Sequence, residues 1–293
     1  MSRWNEDGGL KWRPREPFGV EIDHDLTKPF APAAATKFVE LFRSAGMIVA
    51  SGPKLSMEQQ IAVLAHLGKI QRSADGTTYI TTETPGDWVR LELAFHADYA
   101  YTQFPLDGLS LHAVDVVDGA SSTRFANAER GYEMLPTKLR ERLERYTVEM
   151  INPTFDKVAL RSCDVRDPEY LLRATRPTAA TNPRSGRRCL VVSEAHSTQL
   201  NGLTWEESGE LLNEVYKHLY TPDNITEQVW NNGDIAIWDN ATFQHGRGPI
   251  KHVGRRVLQR VVVGEKSLAE ISPAALSGDL EAAKAERRAG LVQ

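Results

Sequence analysis

Residues 226–240 read Thr-Glu-Gln-Val-Trp-Asn-Asn-Gly-Asp-Ile-Ala-Ile-Trp-Asp-Asn. Two short runs rich in Val, Ile and Trp flank Asn231-Asn232-Gly233-Asp234. The first residue types suit a half-buried strand, and the second suit the turn between strands. The same punctuation recurs at residues 90–95, 108–116, 121–125, 145–151, 175–181, 188–193 and 255–263. Many short strands separated by turn signals predict a sandwich or barrel.

Helical spacing is confined to fewer places. Phe38, Leu41 and Phe42 fall on one face of residues 34–44, and Ser56 can cap a helix that turns Ile61, Leu64 and Leu67 inward. A helix is expected over about 135–144, after Pro136, and another over 205–219, where Thr204 and Glu207 form a capping box. Phe18 to Ile22 and Met47 to Ala50 read as short strands. Residues 1–16 read as a loose arm, residues 17–266 as one domain, and 267–293 as a C-terminal surface helix and tail. Residues 152–175 are polar and irregular, and a loop of that length inside a compact domain is commonly functional.

The 293 residues carry 41% hydrophobic and 25% charged side chains, ordinary for a globular chain. A net charge of −4 argues against a nucleic-acid partner, and no apolar run reaches the ~20 residues that span a bilayer. Cys163 and Cys189 have no metal-type spacing, and the polar N-terminus lacks an apolar signal core. These features lead to the expectation of a cytoplasmic protein with free thiols.

His96 and Asp98 are two residues apart, which on a strand places both on one face. His245 follows the 234–240 run and is expected at a strand end. Two imidazoles and one carboxylate suit the facial arrangement of non-haem Fe(II) oxygenases. A His-x-Asp tripeptide alone is a weak signal, and His66, His112 and His218 are better read as structural. Arg256, eleven residues after His245, and Arg260, four further on, share a face of an otherwise apolar strand. Such buried guanidiniums need anions. They pair either with buried acids, Asp115 or Asp239 for example, or with carboxylates from outside the chain.

These motifs taken in order resemble the taurine dioxygenase and 2,4-dichlorophenoxyacetate dioxygenase family. The stretches that carry the resemblance are Phe18 to Thr27, Met47 to Ala50, Leu55 to Ala62, Phe95-His-Ala-Asp98, Asn182 to Val191, Asn232 to Asn240, His245, and Arg255 to Arg260. The resemblance implies a mainly β chain with flanking α-helices, built on a double-stranded β-helix (a jelly-roll or cupin-like core). It implies Fe(II) held by His96, Asp98 and His245. It implies 2-oxoglutarate held by Arg256 and Thr123, and a small-molecule substrate met by Arg260 and His196. The reaction implied uses O2 to hydroxylate an unactivated C–H bond of a small anionic molecule, releasing succinate and CO2. Residues 152–175 then become a candidate lid with Phe155 and Tyr170 as covers, and relatives suggest a homodimer or homotetramer. Desaturation or oxidative cyclisation would use the same ligands. A metal-dependent sensor on the same barrel is the rival from another class, and Arg256 with Thr123 argues against it.

The chain also departs from the family. Ala120-Ser-Ser-Thr123 stands where Gly-Gly-Asp-Thr is usual, and Asp239-Asn240-Ala241 where Asp-Asn-Arg is usual. His196 falls at a position of a pocket Phe, and no counterpart of the residues that grip the taurine sulfonate is evident. Taurine is therefore not the expected substrate.

Overall fold

A computed structural model of the chain describes residues 3–72, 76–81, 92–119, 121–152, 172–248, 255–274 and 279–288. Two antiparallel-rich sheets enclose the core. The larger has the order β1-β2-β3-β4-β15-β7-β17-β5. Its strands are β1 (Asn5–Asp7), β2 (Leu10–Pro14), β3 (Val20–Asp23), β4 (Met47–Ala50), β15 (Ile235–Asp239), β7 (Gly108–Val116), β17 (Arg256–Val263) and β5 (Thr78–Thr81). The smaller sheet has the order β14-β8-β16-β6, with β14 (Ile225–Val229), β8 (Ser122–Asn127), β16 (Phe243–Arg247) and β6 (Leu93–His96). Two minor sheets lie beside them, β10 (Arg173–Pro177), β9 (Thr147–Ile151) and β13 (Ser197–Leu200) in one, β11 (Ala179–Thr181) and β12 (Arg188–Leu190) in the other.

Period-two alternation divides the large sheet between two cores. Met47, Val49, Leu109, Leu111, Ala236, Trp238, Leu258 and Val262 face the interior with Phe125 and Phe243 of the smaller sheet. Ile48, Ala50, Ile235, Ile237, Val261 and Val263 face the other way, onto two helices. These are α1 (Pro32–Ala45) and α2 (Met57–Leu64). Proline in the first turn of α1 and Gly46 just past its end, at φ 68°, fix its two limits. The α2 start is a full capping box, in which the Ser56 hydroxyl accepts from the Gln59 N–H and the Gln59 side chain accepts from the Ser56 N–H. Helix α5 (Trp205–Leu219) begins in the same way at Thr204 and Glu207. Between these, α3 (Ala128–Met134) and α4 (Thr137–Leu143) follow β8.

Several expectations change. Residues 1–16 are not a loose arm, because β1 and β2 extend the large sheet and bury Leu10 completely. The strand expected over 175–181 is two strands, β10 ending at Pro177, which has no N–H to continue the ladder. Residues 173–175 belong to β10 rather than to a lid, while Phe155, Tyr170 and Cys163 lie outside the described residues. In the stretch expected as one surface helix, the described residues include α6 (Leu268–Ile271), which ends at Ser272, and α7 (Leu280–Arg288). Strands β13 and β16 were not expected, since Ser-Thr-Gln-Leu and Phe-Gln-His-Gly-Arg are too polar to read as core strands.

Candidate metal centre

His96 is the last residue of β6, and His245 is the middle residue of β16 rather than a strand end. The two strands pair antiparallel, and His245 is the registered partner of His96. Asp98 lies in the turn after β6, not on the strand, so strand alternation does not deliver it to the site. Even so, its Oδ1 lies 3.3 Å from His96 Nε2 and 3.8 Å from His245 Nε2. One donor atom from each of the three residues lies within 4.8 Å of the others.

The chemistry of this donor set fits a divalent metal. The Ala94 carbonyl lies 2.9 Å from His96 Nδ1 and holds the proton there, leaving the Nε2 lone pair free to bind. Burial, then the neighbouring His96, pushes His245 down to about 3, so its imidazole is neutral at physiological pH. Burial would raise Asp98, but the Arg260 guanidinium holds it well below the usual carboxylate range. Trp238 and Phe125 pack against the His245 ring, at 4.9 and 6.5 Å between centroids, and exclude water from its outer side.

Arg256 and Arg260 lie on the interior-facing alternation of β17. Arg260 Nη2 donates to Asp98 Oδ2 at 2.6 Å, so one guanidinium does pair with a partly buried acid, although not the acids named from sequence. Asp115 instead pairs with Arg255 at 3.0 Å, and Asp239 pairs with Arg184. Arg256 is buried, and its Nε donates to Ser121 Oγ at 3.1 Å. Burial, then the nearby charge of Arg247, pushes Arg256 down to about 9, a state that a bound carboxylate would reverse. Thr123, two residues after Ser121, is buried on β8 and its Oγ1 accepts from Trp230 Nε1 at 3.1 Å. The hydroxyl keeps acceptor and donor capacity for a ligand.

His196 is buried beside the triad, edge-on to His96 at 5.5 Å and to Tyr101 at 4.9 Å. Burial holds it well below the usual imidazole range. His112 is structural, as expected: its Nε2 accepts from the Leu55 N–H at 2.9 Å and its Nδ1 donates to the Asp234 carbonyl at 3.1 Å. Cys189 is free and buried, and burial pushes its thiol up to about 12.

Sequence reasoning missed Ser121, Tyr101 and Gly246. A Cβ on Gly246 would lie 2.7 Å from the Leu93 carbonyl oxygen, so only glycine lets β6 approach β16 this closely. No spacing rule marks such a position.

Residues 11–262 match the family described as taurine catabolism dioxygenase TauD, TfdA family. The chain belongs to this family of alpha-ketoglutarate-dependent dioxygenases. A TauD/TfdA relative, the alpha-ketoglutarate-dependent 2,4-dichlorophenoxyacetate dioxygenase of Cupriavidus pinatubonensis, is 25% identical over 273 residues, covering 83% of this chain and 92% of that one. Pentalenolactone F synthase of Streptomyces arenae is 28% identical over 182 residues, 58% of this chain and 61% of the synthase. Among solved structures, a taurine dioxygenase from Burkholderia xenovorans superposes with a TM-score of 0.73 at 20% identity, covering 88% of this chain and 91% of that one. AAD-2 in complex with Mn(II) and N-oxalylglycine superposes with a TM-score of 0.75 at 19% identity, covering 88% and 98%. The fold of the chain is therefore the double-stranded β-helix of the TauD/TfdA family. Among the described residues, no helix is long and apolar enough to cross a membrane.

Proposed function

We propose that the chain hydroxylates an unactivated C–H bond of a small organic molecule while converting 2-oxoglutarate to succinate and CO2. The observation that carries this reading is the convergence of His96, Asp98 and His245 donor atoms within 4.8 Å, inside a barrel that also buries Arg256. The three residues would hold Fe(II), whose chemistry when bound is the activation of O2 with the oxo-acid as electron source.

The protein's own part is binding and orientation. Arg256 would form a two-point bond with the distal carboxylate of 2-oxoglutarate, with Thr123 donating its hydroxyl to the same group. Ser121 keeps the Arg256 guanidinium in place through its Nε. Ala94 keeps the His96 proton on Nδ1 throughout. Arg260, oriented by Asp98, and His196 would form the substrate-facing wall. An anionic substrate suits Arg260, and a relative named for 2,4-dichlorophenoxyacetate supports that class. The two elements that supply the imidazoles are strands rather than loops, so their spacing is set before any ligand arrives.

Succinate release tests the proposal, with Fe(II), ascorbate, 2-oxoglutarate and a panel of carboxylates, amino acids and aryloxy acids. Succinate formation stimulated by one class supports it. Absence of any 2-oxoglutarate consumption by iron-loaded protein, with or without candidates, contradicts it.

A further inference from the structure

Asp98 has no strand to fix it, and yet its carboxylate oxygens lie within 3.3 Å of His96 and 2.6 Å of Arg260. The backbone around it is held by one side chain from the opposite sheet. Asn240, in the turn after β15, is buried, and its amide is spent entirely on the segment that carries the carboxylate. Its Oδ1 accepts from the Asp98 N–H at 2.9 Å. Its Nδ2 donates to the Asp98 carbonyl at 2.9 Å and to the Leu106 carbonyl at 3.0 Å. Its own backbone N–H donates to the Asp107 carbonyl at 3.1 Å.

Gripping both the N–H and the C=O of one residue fixes that residue's two soft dihedrals, and with them the direction of its Cβ. The next residue shows why such a grip is needed. Tyr99 has φ 59°, the left-handed conformation that a bulky L-residue adopts only when its surroundings impose it. Thr102 holds the far side of that turn, its N–H and hydroxyl both donating to the Tyr99 carbonyl at 2.9 Å. Asn240 is itself immobilised, because the neighbouring Asp239 carboxylate accepts from the Ala241 and Thr242 N–H groups and from the Arg184 guanidinium.

We infer that Asn240 is a positioning residue for the metal centre: it sets the carboxylate ligand of the smaller sheet against the larger sheet. The inference rests on the reading of His96, Asp98 and His245 as metal ligands. Asn240 touches neither metal nor substrate, and acts only through the Asp98 backbone. Asparagine is the side chain that suits this role. Aspartate keeps the acceptor but turns an oxygen toward two carbonyls, and alanine takes this partner from the Asp98 N–H and the Leu106 carbonyl and leaves the Asp98 carbonyl only the Leu106 N–H at 3.3 Å.

The test is the Mn(II) dissociation constant of the full-length metal-free chain, with free Mn(II) counted by electron paramagnetic resonance and folding followed by circular dichroism. Asn240→Ala and Asn240→Asp should weaken Mn(II) about 10- to 100-fold, the usual effect of losing a group that orients a ligand. Asn224→Ala is the control for a general loss of stability. Asn224 is equally buried and its amide also donates to two carbonyls, those of Asn127 and Leu219. It should lower the melting temperature and leave Mn(II) affinity within about twofold. Where the Asn240→Ala chain does not fold, the Asn240→Asp chain, closer in shape, carries the test. A folded Asn240 variant that binds Mn(II) within twofold of wild type overturns the inference, and so does an Asn224→Ala chain that loses as much affinity. His245→Ala separates the two levels. If it too binds Mn(II) like wild type, the metal reading itself fails. If it loses Mn(II) while the Asn240 variants do not, only the positioning role fails.

Discussion

His245 on β16 is registered directly opposite His96 on β6, and their ring centroids are 4.2 Å apart. A single antiparallel pairing therefore sets the spacing of two of the three donors. The pairing register shifts between His245 and Arg247, and Gly246 sits at that irregularity against the Leu93 carbonyl. Gly246→Ala should push the strands apart, costing about 1–3 kcal/mol from overpacking and weakening metal binding together with stability. Urea unfolding and Mn(II) titration of the variant check this. Wild-type values in both would show that the close approach is not needed.

In the proposed function, Arg256 would supply the charge for the distal carboxylate of the co-substrate. Arg256→Gln should weaken 2-oxoglutarate binding by about 1.5–3 kcal/mol, roughly 10- to 150-fold in Kd, with Mn(II) affinity unchanged. Calorimetric titration of 2-oxoglutarate into the Mn(II)-loaded chain measures it. Equal affinity in variant and wild type would assign the co-substrate elsewhere.

Thr123 accepts from the Trp230 N–H and, in the proposed function, would also hold 2-oxoglutarate, two duties that substitutions can separate. Thr123→Val removes the acceptor of the buried Trp230 N–H, and so should cost about 1–3 kcal/mol of stability as well as raising the KM for 2-oxoglutarate. Thr123→Ser keeps the hydroxyl and should restore both. A serine variant as impaired as the valine variant would contradict the assignment.

Acid should destabilise the metal-free chain earlier than carboxylate titration alone would. His245, pushed down to about 3 in the folded chain, has an ordinary value of ~6.5 when unfolded. Between those limits the unfolded chain takes up a proton that the folded chain does not. Stability thus falls with pH by about 1.4 kcal/mol per unit for this group. His196, also held low, acts in the same direction below its unfolded value. Asp98, held well below the carboxylate range, adds a further loss as pH falls below ~4. Urea unfolding at pH 7, 6 and 5 reads the slope, and a flat profile over that range contradicts it.

Much of this site was legible because its chemistry-bearing residues are rare types at fixed spacings. The His96 and Asp98 pair, His245 and Arg256 were named from residue type and spacing, and Thr123 from the family resemblance alone; the structure brings the metal-ligand candidates together. The strand reasoning behind them was less sound. Asp98 reaches the site from a turn with a left-handed residue beside it, which period-two alternation cannot anticipate. Strand β16 was hidden because its five residues are all buried but mostly polar, and burial of polar side chains depends on partners from distant segments. The capping boxes at Ser56 and Thr204 were readable because both halves of each motif are local in sequence. The role of Asn240 was not, since its partners are 142 and 134 residues away.

Equilibrium binding of Fe(II) under anaerobic conditions, in the presence of 2-oxoglutarate, tests the metal centre most directly. Wild-type chain should bind one equivalent, and His96→Ala, Asp98→Ala and His245→Ala chains, each shown to be folded, should bind none at the same concentration. One equivalent retained by any of the three would contradict the proposed centre.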